Sequence, residues 1–309
     1  MAYKEISFPS STGLGDIFVR EWLVDEPKAI IQIVHGMAEH GARYQDIAEY
    51  FNANGFSVVI DDHMGHGKSI PEGKEENQGF FGEEDGDVHL VEDEAALTDL
   101  LKEEFPEVPI ILFGHSMGSF IARRYTAFFA DKLAGAVFCG TAGSNSALKI
   151  GFALAKRERK KKGDHYKSTL INSMAFGSYN KKTDKRTAFD WLTKDEAIVD
   201  AYIEDPLCGF LFTVAGYMDL FKLLMFVNSQ DWYDKVPKEL PILVTAGHDD
   251  PVGAYGKGPK EVYAKLRASG HSKTDMNLYL NDRHEIHNET DREKVYADLV
   301  KFFNKVVGE

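Results

Sequence analysis

Short apolar runs alternate with longer stretches of helical period, and this alternation constrains the fold more than any other feature of the 309 residues. Ile30–Val34, Ser57–Ile60, Pro109–Phe113, Ala134–Phe138, Pro241–Thr245 and Met276–Leu280 read as strands. Most are apolar at every position rather than at every second one, as strands become when helices cover both faces of a parallel sheet. Between them, His89–Glu104 sets Leu90, Leu97, Leu100 and Leu101 on one helical face. A last helix opens with a capping-box spacing at Thr290–Glu293 and carries Val295, Leu299, Phe302 and Phe303. Ile6–Phe8 and Ile17–Trp22, joined by the turn-rich Pro9–Gly15, read as a leading hairpin. The expected fold class is α/β, a mostly parallel central sheet with helices on both faces and an antiparallel edge.

The alternation breaks once. From Ser144 to Asn228 no strand pattern occurs, and between Ser144 and Arg186 twelve Lys/Arg face only three Asp/Glu, a local +9. The whole chain carries −13, so the remainder holds −22. Such asymmetry divides the chain into a core, residues 1–143 and 229–309, and a helical cap inserted at 144–228. Within it, Leu207–Val227 is long enough to reach across a bilayer, but Asp219 and Lys222 would each cost about 2.5–3.5 kcal/mol at a membrane centre. Asp205-Pro206 before it signals helix entry, so a buried helix is expected and no transmembrane span. The acidic total disfavours nucleic acid as a partner. Two cysteines, Cys139 and Cys208, beside apolar residues fit buried thiols in a reducing, cytoplasmic setting. The N-terminal residues lack an apolar run of signal-peptide type.

Chemistry concentrates where the runs end. Pro109–Phe113 passes straight into Gly114-His115-Ser116-Met117-Gly118 and then into a helical segment. That is the strand–turn–helix setting in which G-x-S-x-G holds a serine hydroxyl clear of its own backbone. Flanking glycines remove Cβ clashes, and the helix N-terminus offers positive potential where an oxyanion would form. A glycine-rich turn with a capping serine would share the five letters but has no need of the preceding strand. A serine nucleophile requires a base, and such a turn takes its partners in the chain order serine, acid, histidine. Downstream, Pro241–Thr245 ends in Ala246-Gly247-His248-Asp249-Asp250-Pro251-Val252, and Met276–Leu280 in Asn281-Asp282-Arg283-His284-Glu285-Ile286-His287. Both lie past carboxyl ends of strands, where open α/β sheets place their ligand crevice. His284 is the candidate base, with an aspartate of the first loop to hold its tautomer. Ile30–Val34 ends in His35-Gly36-Met37-Ala38-Glu39-His40, which makes the Met37 and Met117 amides candidate oxyanion donors.

The combination H-G-x-x-E-H at His35–His40, G-H-S-M-G at Gly114–Gly118, Asp250-Pro251-Val252 and Arg283-His284-Glu285 resembles the α/β-hydrolase superfamily. Within it, the chain resembles bacterial monoacylglycerol lipases and lysophospholipase-like serine hydrolases. The resemblance spans nearly the whole chain, including Trp191-Leu192 and Asp205–Phe212. It implies Ser116 as nucleophile, His284 as base, Met37 and Met117 as oxyanion donors, and Asp250 as the acid, three residues past Gly247. The chain departs from the family pattern D-x-R-G-H-G-x-S at Met64.

Other signals are weaker. Gly67-Lys68-Ser69 ends like a phosphate loop, but the position required to be its first glycine holds Asp62. His284-Glu285-Ile286-His287 is one residue short of a zinc H-E-x-x-H. Asp61, Asp62, His63 and His66 are candidate metal ligands, with a structural role the simpler reading. The expected activity is a cofactor-free, metal-free serine hydrolysis of acyl esters such as monoacylglycerols or lysophospholipids. Phe176, Trp191, Phe210 and Phe226 of the cap are candidate lining for an acyl chain, and its basic run for contact with anionic lipid. Two alternatives stand beside this reading. One is an aminopeptidase or thioesterase on the same residues, with Glu196 or Asp200 to hold a substrate amino group. The other is a noncatalytic binding protein of the same fold.

Overall fold

In the computed structural model, which describes residues 2–309, the apolar runs form one eight-stranded sheet. Its strands are β1 (Ala2–Pro9), β2 (Asp16–Leu23), β3 (Ala29–Val34), β4 (Phe56–Asp62), β5 (Ile110–His115), β6 (Gly135–Cys139), β7 (Ile242–Gly247) and β8 (Thr274–Tyr279). The spatial order is β1-β2-β4-β3-β5-β6-β7-β8. β2 pairs antiparallel with β1 and β4, and every later pair is parallel. The six inner runs fall within two residues of β3 to β8, the leading hairpin lies within β1 and β2 with β1 starting four residues earlier than expected, and the fold class is α/β as the alternation requires.

The helices are α1 (Gln45–Ala53), α2 (Gly86–Glu104), α3 (Met117–Phe128), α4 (Leu148–Lys162), α5 (Thr169–Phe176), α6 (Glu196–Glu204), α7 (Val214–Val227), α8 (Gln230–Lys235), α9 (Lys257–Ala268) and α10 (Arg292–Val307). Alternate strand residues face opposite layers. Ile31, Ile33, Ile111 and Phe113 pack under Ile47 and Phe51 of α1 and Leu299 and Phe303 of α10. Val34, Leu112 and Phe138 pack under Phe120 and Ile121 of α3 and Leu266 of α9. Each such large side chain contributes about 1.5–3 kcal/mol on burial. From β3 the chain turns to β4 on one side, then crosses over to β5 on the other. The loops after β3 and β5 therefore diverge, and the crevice of an open parallel sheet forms between them.

Three expectations need correction. Leu100 is 39% exposed, because α2 rolls Leu90, Leu97 and Leu101 inward and leaves Leu100 a turn-fraction outside. The apolar helix begins at Val214, not after Asp205-Pro206: the Thr213 hydroxyl caps it by accepting from Gly216 N–H at 3.1 Å. Asp205 instead closes a local turn, accepting from Leu207 N–H at 2.8 Å. The capping box at Thr290–Glu293 does not form, since α10 starts at Arg292 and the Asp291 side chain makes no cap bond. Between β6 and β7 the chain adds no strand to the sheet, and α4 lies along α7, which in turn rests on α3. Asp219 and Lys222 of α7 pair at 3.1 Å. Among the described residues no helix is long and apolar enough to cross a membrane.

Candidate active site

β5 ends at His115, and the chain turns through Ser116 into α3. Ser116 sits at φ 54°, ψ −120°, a backbone that serine adopts only where its surroundings force it. The flanking glycines allow that force. A Cβ on Gly118 would lie 1.9 Å from the Val34 carbonyl oxygen, and one on Gly114 2.3 Å from that of Gly118. Only glycine lets β3, β5 and α3 converge here. Ser116 N–H donates to the Cys139 carbonyl at 2.9 Å and ties the turn to β6.

Asp250 lies in the loop after β7 and His284 in the loop after β8. His284 Nδ1 is 3.0 Å from Asp250 Oδ1, with both side chains buried. Asp250 Oδ1 also accepts from Val252 N–H at 2.8 Å, which fixes the carboxylate. Asp249 turns away, its Oδ1 3.1 Å from His248 Nδ1 at the partly exposed rim. Burial alone would lower the His284 pKa, but the Asp250 carboxylate, with Glu285 and Glu39 beyond it, lifts it above the ordinary value. Ser116 and His284 line the same cavity, and no hydrogen bond joins their side chains.

The loop after β3 is held from several sides. Gly36 N–H donates to Glu39 Oε1 at 2.6 Å. Ala38, at φ 54°, donates its N–H to His66 Nε2 at 3.3 Å, and its carbonyl accepts from Tyr202 Oη and Gly209 N–H, each at 2.9 Å. His35 Nδ1 donates to the Gly36 carbonyl at 2.8 Å, leaving Nε2 to accept from His63 N–H at 3.1 Å. These supporting imidazoles are neutral: burial, with His63 beside them, takes His35 well below the ordinary range and His66 to about 3. Among the described residues no acceptor engages the Met37 or Met117 N–H. Both residues line the cavity.

That cavity encloses about 600 Å³ between the strand ends and α3, α4, α5 and α7. Phe176, Trp191 and Phe210 line it, and the Trp191 ring centroid is 5.1 Å from that of His284. Phe226 does not. Two residues past the lining Leu224, it lies about 200° around α7 and stacks on Phe128 at 5.7 Å, outside the cavity. The four candidate metal ligands do not converge. Asp62 is used by Arg20 at 2.6 Å and by the Gly41 and Lys68 amides, and His66 holds Ala38. Asp61 and His63, 2.9 Å apart, meet Glu94 instead. Gly67–Ser69 is one 3₁₀ turn, with the Lys68 ammonium 3.2 Å from Glu5.

The family model Hydrolase_4, described as serine aminopeptidase S33, matches residues 25–291. This chain belongs to that family. Its α/β-hydrolase fold superposes on a thermostable carboxyl esterase of Bacillus coagulans, solved with glycerol, at a TM-score of 0.92, with 32% identity and 99% of both chains covered. It is 26% identical over 284 residues to a monoacylglycerol lipase of Mycolicibacterium smegmatis, covering 91% of this chain and 90% of that one. It is likewise 26% identical over 295 residues to the phospholipase YtpA of Bacillus subtilis, covering 93% of this chain and 99% of that one.

Three features of this α/β-hydrolase escaped the sequence reading. Arg43 joins two loops: its guanidinium donates to Glu39 and, at 2.8 and 2.7 Å, to both oxygens of Glu285. Burial would raise the Glu285 pKa, but Arg43 brings it down to about 2. The Glu39–Arg43 spacing of four was visible in the sequence; a partner 242 positions away was not. Second, segment 190–194 straps the histidine loop. Glu285 N–H donates to the Leu192 carbonyl at 2.7 Å, and Arg283 Nη1 to the carbonyls of Asp190 and Thr193 at 2.7 and 3.0 Å. Third, Gln32, Glu94, Thr98 and Tyr125 form a buried polar chain beneath β3, with Gln32 Nε2 donating to Glu94 Oε2 at 2.6 Å and Thr98 Oγ1 to Gln32 Oε1 at 2.7 Å. Such a chain becomes visible only once α2 and α3 are packed on β3.

Proposed function

We propose that this hydrolase cleaves carboxylic esters of apolar acyl groups, monoacylglycerols or lysophospholipids in class, with Ser116 as nucleophile. The carrying observation is that Ser116, His284, Met37 and Met117 all line one largely apolar cavity of about 600 Å³, within the usual size for a small-molecule site. His284 takes the Ser116 hydroxyl proton as Oγ attacks the ester carbonyl. Asp250 holds the imidazole and stabilises its charged form. The two amides receive the oxyanion, each donor worth about 10²–10³ in rate. Collapse expels the alcohol with the proton from His284, and a water deprotonated by His284 then frees the fatty acid. Relatives named as a lipase, a phospholipase and a carboxyl esterase support the ester class.

The family description favours weighing an aminopeptidase reading. That chemistry needs a free carboxylate to hold a substrate ammonium. The carboxylates that line the cavity, Glu39 and Glu285, are both committed to Arg43. Glu196 and Asp200 are outside it, on Arg186. Ester over amide is the better reading. Residues 144–228 serve as the cap in this scheme, their basic side chains meeting anionic lipid at the cavity mouth. Two buried free thiols, Cys139 and Cys208, support a reducing cytoplasmic setting. A fluorophosphonate probe is expected to label the parent and not Ser116→Ala, with turnover on graded p-nitrophenyl esters far above that on amino-acid anilides. Labelling that survives in Ser116→Ala, or anilides hydrolysed in preference, would overturn the reading.

A further inference from the structure

The helix that begins at the nucleophile carries an arginine that no step of ester cleavage uses. Arg123 of α3 is fully buried, and among the described residues no carboxylate pairs with it. Burial pulls its pKa down to about 10, so the guanidinium still carries its charge at neutral pH. An ion taken out of water without a counter-ion is costly, so its place in the fold calls for an explanation.

Its bonds supply one. Nη1 donates to Thr141 Oγ1 at 3.3 Å and to the Ala142 carbonyl at 3.0 Å. Nη2 donates to the Val227 carbonyl and, at 3.4 Å, to Asn228 Oδ1. Thr141 and Ala142 lead from β6 into the segment at 144–228, and Val227 and Asn228 close it. One planar fork therefore holds both ends of that segment, with one terminal nitrogen for each. The negative pole of α7 stands in for a counter-ion, since Val227 is the last residue of that helix and its carbonyl has no partner within it. The guanidinium also lies 4.3 Å from the centroid of the Trp232 ring, whose Nε1 donates to the Arg123 carbonyl.

This anchor bears on the reaction because α3 starts at Ser116 and α7 walls the cavity. Phe120 lines it from α3, Leu220, Phe221 and Leu224 from α7, and Ala142 from the entry to the segment itself. A residue that fixes α7 on α3 fixes the apolar wall relative to the serine. We propose that Arg123 is a positioning residue that ties both roots of the cap to the nucleophile's helix and so sets how long an acyl group the cavity accepts. The inference rests on the reading of residues 144–228 as a cap over an acyl site. A lysine at this position keeps the charge, but its single nitrogen on a flexible stem holds one root at a time.

Two measurements on the intact chain test this. In hydrogen exchange, Arg123→Met and Arg123→Lys are expected to exchange faster through α4 and α7 while α1 and α10 keep the parent's protection, because the cap loosens and the core does not. Equal acceleration in all four helices would show general destabilisation and overturn the proposal, as would unchanged exchange in α4 and α7. On p-nitrophenyl esters, the ratio of kcat/KM on decanoate to that on acetate should fall about tenfold in both variants, chiefly through KM, since a misplaced wall costs most to the substrate that touches it. A ratio that stays at the parent's value overturns the claim on acyl length. A parental ratio in Arg123→Lys alone would mean that the charge suffices, and overturns the bridge between the roots. Should Arg123→Met not fold, Arg123→Lys carries both measurements. A parent that cleaves no ester would overturn the ester reading, and the exchange pattern would still decide the anchor.

Discussion

Two adjacent carboxylates with opposite surroundings make the sharpest comparison at the residue scale. Asp250 is buried against His284, whereas Asp249 faces His248 at the rim. Asp250→Asn is expected to lower kcat on a soluble ester by roughly 10⁴, because the amide favours the wrong imidazole tautomer. Asp249→Asn should change it by no more than a few-fold; equal losses would reject Asp250 as the acid. The sign of the pH dependence follows from the same pair. A histidine acting as base works only when neutral, and the His284 pKa is lifted above the usual 6.5 by Asp250 once the opposing effect of burial is overcome. The acidic limb of the pH–kcat/KM profile should therefore lie above pH 6.5 in the parent. In Asp250→Asn the residual activity should show that limb displaced to lower pH. A limb that stays in place would mean that another group controls it.

Loops, not side chains alone, must be held in register, and Arg43 is the part that does so. It follows β3 by nine residues and grips Glu39 in the same loop and Glu285 in the loop after β8. Arg43→Ala strands two buried carboxylates, so a loss of about 3–5 kcal/mol is expected at pH 8. In the parent both carboxylate pKa values are depressed, so their stabilisation is full above the unfolded value of 4.5 and fades as pH falls toward 2. In the variant they are raised, and its deficit should shrink on acidification from pH 8 to 5. Thermal melts at both values check this; a deficit that grows with acid would refute it. This clamp also marks the limit of what sequence discloses. β3 to β8 were legible because buried parallel strands are apolar at every position, and the loops that bear Ser116, Asp250 and His284 follow from where those strands end. Arg43 and Arg283 were not, because each works through partners distant in sequence. The entry to α7 was misplaced for a related reason: Asp205 meets the local rule for a cap, but its carboxylate is shared between a local turn at Leu207 and His40, 2.8 Å away and 165 positions distant.

Across the whole molecule, charge is segregated rather than mixed. Residues 144–186 carry +9 and the remainder −22, so the chain has a basic pole on an acidic body. α4 shows the pole at closest range. Ile150, Ala153, Arg157 and Lys160 follow one another at helical spacing on its exposed side, and Ile150 also lines the cavity. Leu170 and Met174 of α5 are exposed as well, at 52% and 58%. Apolar side chains at a cavity mouth with lysines behind them suit an anionic lipid surface, where each cation contributes about 1 kcal/mol. The three lysines that close α4 are not equivalent. Lys162 is 3.6 Å from Glu158 and lies over the Tyr166 ring, so most of the attraction should come from Lys160 and Lys161. Replacing all three by Gln is expected to weaken binding to phosphatidylserine-containing vesicles by about 2 kcal/mol, some thirtyfold, at low salt. The difference should shrink as ionic strength shortens the screening length to about 8 Å. Because the cavity sits beneath α4 and α7 and its chemistry depends on buried groups, kcat on a short soluble ester should stay unchanged in the same variant. Vesicle sedimentation at two salt concentrations, beside that assay, measures both halves. Binding by the parent that is indifferent to salt and to the lysines would reduce the basic pole to a solvated face.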